Sequence, residues 1–108
     1  MKEKVLKAFT KGILFTPHAL NQMNRPERLI TRHEVREVIL HGELIEDYPE
    51  DVRGHSCLLM ALATTGRVVH VVCAPKKEYI TIISAYIPSP DRWKNDFKTR
   101  KPKEGSDK

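Results

Sequence analysis

Four side chains in this sequence have the types that move protons and hold phosphate: His18, Arg28, His70 and Tyr86. Histidine exchanges a proton near neutral pH, so it serves as acid or base. The planar guanidinium of arginine matches the oxygens of a phosphate. A tyrosine hydroxyl donates a proton, and its ring stacks on a base. Each residue also has a plainer use. His18, beside Pro17, could cap its helix or bond a neighbouring strand. Arg28 could pair Glu27, Glu34 or Asp47, and Tyr86 could be core with its hydroxyl at the edge.

A second group is purely cationic. Arg25 is followed much later by the run Arg92, Lys94, Lys98, Arg100, Lys101 and Lys103. That run is dense enough to track a phosphate backbone, or simply to keep a surface solvated. The net charge is +5 over 108 residues, a moderate excess that favours an acidic partner such as nucleic acid, an acidic protein or a membrane surface. There is no Cys-x-x-Cys and no closely spaced histidine pair on a helix, so no metal and no cofactor is expected. No stretch is long and apolar enough to cross a membrane. Met1–Phe9 lacks the apolar centre of a secretory signal, so a cytoplasmic location is expected.

The elements that must position these groups centre on residues 56–87, where long apolar, β-branched runs are bounded by turn residues. Thr65-Gly66 reads as a tight two-residue hairpin loop. In that register Ala61 pairs with His70. One face then carries Leu58, Met60, Leu62, Val69, Val71 and Cys73 and reads as the core. The other carries Leu59, Ala61, Ala63, Val68, His70 and Val72. His70 would lie on a floor of small residues, either with room for a ligand or bonded to a backbone carbonyl. Cys57 and Cys73 would point to opposite faces, which disfavours a disulfide. Pro75–Glu78 returns the chain for a further strand. A four-residue loop there puts Tyr86 on the face away from His70, and a loop one residue longer puts Ser84 and Tyr86 beside it.

The flanking segments are helical. Val5, Leu6 and Phe9 have helical spacing within residues 1–12. Thr16 and Pro17 suit the N-cap and first position of a helix to Met23, with His18, Gln22 and Arg25 on one face. Asn24-Arg25-Pro26 breaks it. Thr31 and Glu34 form a capping box ahead of an apolar stripe of Val35, Val38 and Ile39, closed at His41-Gly42. Glu43–Tyr48 reads as an edge strand, and Asp91–Phe97 as a last helix docking Trp93 and Phe97 on the sheet. The expected fold is α+β: two N-terminal helices on a four-stranded, mainly antiparallel sheet, with a short C-terminal helix. Residues 1–100 form one domain in this reading, and 101–108 a basic disordered tail.

Phe15–Leu20, Arg28–Thr31 with the helix it caps, and Gly42–Pro49 carry a resemblance, as do Val69–Val72, Ile83–Pro88, Trp93, Asp96-Phe97 and Arg100. Together they resemble a bacterial family catalogued only as a domain of unknown function (four-two-five-eight), over about residues 13–100. That family is grouped with RelE-like and BrnT-like toxins and is often encoded beside small zinc-finger antitoxin-like proteins. The resemblance implies a RelE-like fold and the toxin of a type II toxin–antitoxin system. Its activity would be metal-independent cleavage of RNA by 2′-hydroxyl attack, with His18 and His70 as acid–base groups, Arg28 on the phosphate and Tyr86 orienting or stacking. Expected partners are RNA, including ribosome-bound messenger RNA, and a cognate antitoxin, for which a small zinc-finger protein is the candidate. Two other readings compete: a catalytically silent module binding RNA or antitoxin, and a protein whose sheet edge at Glu43–Tyr48 accepts a partner's strand or helix.

Overall fold

Apolar, β-branched runs in the second half of the chain make most of the sheet, and amphipathic segments of the first half cover one side of it. A computed structural model describes residues 1–102. In chain order the elements are α1 (Lys2–Phe9), β1 (Ile13–Phe15), α2 (Pro17–Met23), α3 (Arg32–His41), β2 (Glu43–Tyr48), β3 (Ser56–Leu62), β4 (Val68–Pro75) and β5 (Ile80–Tyr86). The strands form one sheet in the order β1-β5-β4-β3-β2.

This corrects the expected architecture. The sheet is five-stranded and mixed, and three helices precede most of it. The extra strand is Ile13–Phe15, which pairs parallel to β5 with Ile13 opposite Ile80 and Phe15 opposite Ile82. Three residues are too few to show strand periodicity; the strand exists because β5 would otherwise present an unpaired row of backbone donors and acceptors. The C-terminal helix does not form. Residues 88–102 run as turns, and Trp93 bridges Arg100 in antiparallel fashion. The basic tail from residue 103 lies outside the described residues.

The capping signals of the sequence are realised. The Thr16 hydroxyl accepts from Ala19 N at the start of α2, and Thr31 with Glu34 forms a complete capping box on α3. Val5 and Ala8 of α1 and Val35, Val38 and Ile39 of α3 are buried against the sheet.

The β3–β4 hairpin is shifted by one residue from the two-residue loop. Met60, not Ala61, pairs with His70, and Cys57 pairs with Cys73. The loop is Thr64-Thr65-Gly66, closed by Ala63 N–H to Arg67 O, with Gly66 at φ +90°. A three-residue loop ending on a left-handed glycine suits the twist of the strands. One residue of slip exchanges half of the side chains between faces. The helix-covered core therefore holds Cys57, Leu59, Ala63, Val69, Val71 and Cys73. The Cys57 and Cys73 sulfurs lie 4.0 Å apart on one face as free thiols. The adjacent Cys57 sulfur and burial together push the Cys73 thiol up from its ordinary pKa.

Candidate functional site

The face of the sheet away from α1 and α3 carries the polar groups, and two β-bulges put them there. In β2 the register shifts between Leu44 and Glu46, leaving Ile45 as the extra residue. Glu46 then lies opposite Leu58, and Glu43 opposite Met60, on the face of His70. In β5 the register shifts at Ile83, so Ile82 still pairs with Cys73 while Tyr86 pairs directly with His70. Without that extra residue Tyr86 would point into the helix-covered core.

Residues 88–102 cross this face as a strap. Trp93 is buried, with its ring edge-to-face against His70 at 4.6 Å. The Arg100 guanidinium stacks over Trp93 at 4.6 Å and bonds both oxygens of Glu46 at 2.8 and 3.0 Å. The Tyr48 hydroxyl also donates to Glu46, and Lys98 pairs with Glu43 at 2.8 Å. Arg100 and Lys98, expected as nucleic-acid contacts, thus spend their charge on holding the strap.

His70 is fully buried beneath it. Its Nε2 lies 2.7 Å from the Phe97 carbonyl, and its Nδ1 lies 3.3 Å from the Tyr86 hydroxyl. Only an N–H can donate to a carbonyl, so Nε2 carries the proton and the neutral ring accepts from Tyr86 at Nδ1. Burial pushes the imidazole pKa down, although the Phe97 carbonyl opposes this. Burial pushes the Tyr86 phenol up. The pair is therefore neutral near pH 7.

Tyr86 faces outward into a groove of about 410 Å³ that Gln22, Arg28, Arg92, Trp93 and Arg100 also line. Helix α2 brings Gln22 there. Thr16 bonds the Ile82 and Ile83 carbonyls, and Gln22 Oε1 accepts from Ala85 N at 2.9 Å, so a side chain continues the ladder where β1 ends. Arg28 is placed by a clasp from below. The Arg67 guanidinium donates to the carbonyls of Arg28 and Leu29 and to both oxygens of Glu34. Glu34 is buried, and it also accepts from the Thr65 hydroxyl at 2.6 Å and from Thr31 N. Arg67 first, aided by the hydroxyl and amide donors, holds its carboxyl down at about 2.

Two of the four acid–base and phosphate candidates, Arg28 and Tyr86, thus meet in the groove, and His70 sits behind Tyr86. His18 does not join them: it is exposed on α2 and does not line the groove. Arg25, Lys94 and Lys101 are exposed and do not line the groove either. Among the described residues neither Arg28 nor Arg92 forms an ion pair. Sequence reasoning missed Gln22 as a groove residue, although its place one turn after His18 put it on the same helical face. It also missed Glu46, because the bulge that turns it toward the strap leaves no mark in the pattern.

Among the described residues no group of histidine, cysteine and carboxylate side chains could hold a metal ion, and no helix is long and apolar enough to cross a membrane. No curated protein and no solved structure matches the chain. A family model does match, over residues 15–87, a span that contains α2, α3, four of the five strands, Arg28, His70 and Tyr86. The chain belongs to the family described as a domain of unknown function (DUF4258).

Proposed function

We propose that the chain is the toxin of a type II toxin–antitoxin system and cleaves RNA without metal, with the scissile phosphate in the groove beside Tyr86. One observation carries this reading: two guanidiniums that have no ion-pair partner among the described residues, Arg28 and Arg92, line the groove with a phenol whose proton is already directed at a buried imidazole. Arginines suit the pentavalent phosphate because they stay charged and bind two oxygens at once. The 2′-oxygen attacks phosphorus and its proton passes to the Tyr86 oxygen, while the phenol proton passes to His70 Nδ1. The bond to the 5′-oxygen breaks, that oxygen takes a proton from water, and a 2′,3′-cyclic phosphate remains. His70 acts through Tyr86 and touches no substrate, and His18 has no part in the step. Trp93, stacked under Arg100, closes the groove floor.

A cognate antitoxin belongs to the same proposal. β2 is an outer strand of the sheet and offers its free edge to a partner's strand. A second reading, a silent RNA-binding module, is favoured by one observation: both nitrogens of the site's only histidine are engaged within the protein. Expression in cells separates the two. Growth arrest by the wild type, relieved by Arg28→Ala with Arg92→Ala while the soluble yield is unchanged, supports the toxin. Unimpeded growth with the wild type, in cells shown to accumulate it, contradicts it.

A further inference from the structure

A second cationic surface lies at the other end of β5 from Tyr86, about 20 Å along the strand. Lys4 and Lys7 stand one turn apart on α1, Lys11 follows in the turn after it, and Lys76 and Lys77 come from the β4–β5 turn. These five lysines line a depression of about 350 Å³ with only Ala8 and Pro75 between them. Glu3 and Glu78 are near in sequence, but no carboxylate lines it. Among the described residues none of the five forms an ion pair. Two of the ammonium groups are fixed in place by backbone carbonyls, Lys11 on Lys77 O at 3.1 Å and Lys76 on Arg53 O.

Five like charges in one depression repel, and among the described residues no carboxylate lines it to offset them. The chemistry of the lining says what would. A protein partner's interface would be expected to centre on aromatic or apolar anchors and to be poor in lysine. This surface is almost wholly lysine, with no aromatic side chain. Compact ammonium charges without a planar fork suit the phosphates of a strand held by charge alone, with no reading of bases. We propose that this depression binds the sugar–phosphate backbone of RNA, as an anchor for a segment flanking the one in the groove. The proposal rests on the ribonuclease reading for the identity of the strand. The groove then supplies chemistry, and the lysine surface supplies sequence-independent affinity.

The test measures binding, not cleavage. Anisotropy of a labelled oligouridylate, long enough to span both surfaces, is titrated with the full chain across a range of salt. Lys4→Gln, Lys7→Gln and Lys11→Gln together remove exposed side chains and leave the core untouched. The triple variant is expected to bind about tenfold more weakly at low salt, with a slope of log K against log salt shallower by about 2. An unchanged affinity and slope overturns the proposal, even if the wild type cleaves RNA. Loss of oligouridylate binding in the triple variant supports it, even if no cleavage is ever seen, in which case the ribonuclease reading fails alone. A poly-glutamate peptide of matched charge is the second probe. Wild-type affinity for it equal to that for oligouridylate, lost in the same variant, overturns the RNA assignment in favour of an acidic protein.

Discussion

Replacing Glu34 by Gln keeps the shape of the side chain and removes the charge that organises the clasp under the groove. Glu34 is buried, and its carboxyl is held at about 2 in place of the usual 4.5, chiefly by Arg67. At about 1.36 kcal/mol per pKa unit, that depression corresponds to roughly 3 kcal/mol of stability at pH 7. The folded state prefers the ionised form, so the contribution is complete above about pH 4.5 and is lost as the pH falls toward about 2. At pH 3 roughly 1.4 kcal/mol remains. Urea unfolding of the wild type and of Glu34→Gln, at pH 7 and at pH 3, reads the difference directly. The gap between the two proteins is expected to halve on acidification. A gap below about 1 kcal/mol at pH 7 refutes the assignment, because it would place the pair among ordinary surface ion pairs. A gap that does not change with pH would show that the loss comes from packing or capping, and not from charge. The same substitution frees Arg67 from the carboxylate and so loosens the turn that presents Arg28.

Gly66→Ala leaves the loop uncrowded, since nothing lies within 4 Å of an added Cβ, but it forces a side chain to φ +90°. A loss of about 1 kcal/mol in chemical unfolding is expected, with the fold unchanged. His70→Leu strands the Phe97 carbonyl and the Tyr86 hydroxyl, and should cost about 1–3 kcal/mol. Limited proteolysis within residues 88–102 reports whether the strap is the part that loosens. Because burial lowers the His70 pKa, its contribution is full above about pH 6.5 and declines as acid protonates the unfolded chain. Cleavage of the strap should therefore increase on mild acidification in the wild type and not in His70→Leu.

Local signals in this sequence were readable, and long-range ones were not. Thr16-Pro17 and Thr31…Glu34 specify helix starts because a capping bond spans three residues and needs nothing else. The apolar stripe Val35, Val38 and Ile39 pointed to the buried face of α3 for the same reason. Ile13–Phe15 became a strand through pairing with Ile80–Ile82, far along the chain, which a three-residue pattern cannot announce. The hairpin at Thr64–Gly66 was recognisable as a turn, but its length decided which side chains share a face with His70. The longer of the two loops after β4 puts Ser84 and Tyr86 on the face of His70, as found, but the direct pairing of Tyr86 with His70 comes from the bulge at Ile83, which loop length does not announce. Trp93 was recognisable as a residue that docks on the sheet. It does so from a turn, with Phe97 at φ +56° and its carbonyl on His70, and not from a helix. The candidate site was thus legible as residue types and not as an assembly: Arg28 and Tyr86 meet, His70 lies buried behind Tyr86, and His18 stands apart.

The most direct measurement is cleavage of a labelled RNA by the purified chain in EDTA, beside Tyr86→Phe. Tyr86→Phe keeps the ring against His70 and removes only the hydroxyl that lies 3.3 Å from His70 Nδ1. A metal-independent ribonuclease acting through Tyr86 should give EDTA-resistant cleavage leaving 2′,3′-cyclic phosphate, reduced by about a hundredfold or more in the variant, with RNA binding retained. Cleavage undiminished in Tyr86→Phe, or abolished by EDTA in the wild type, would contradict it.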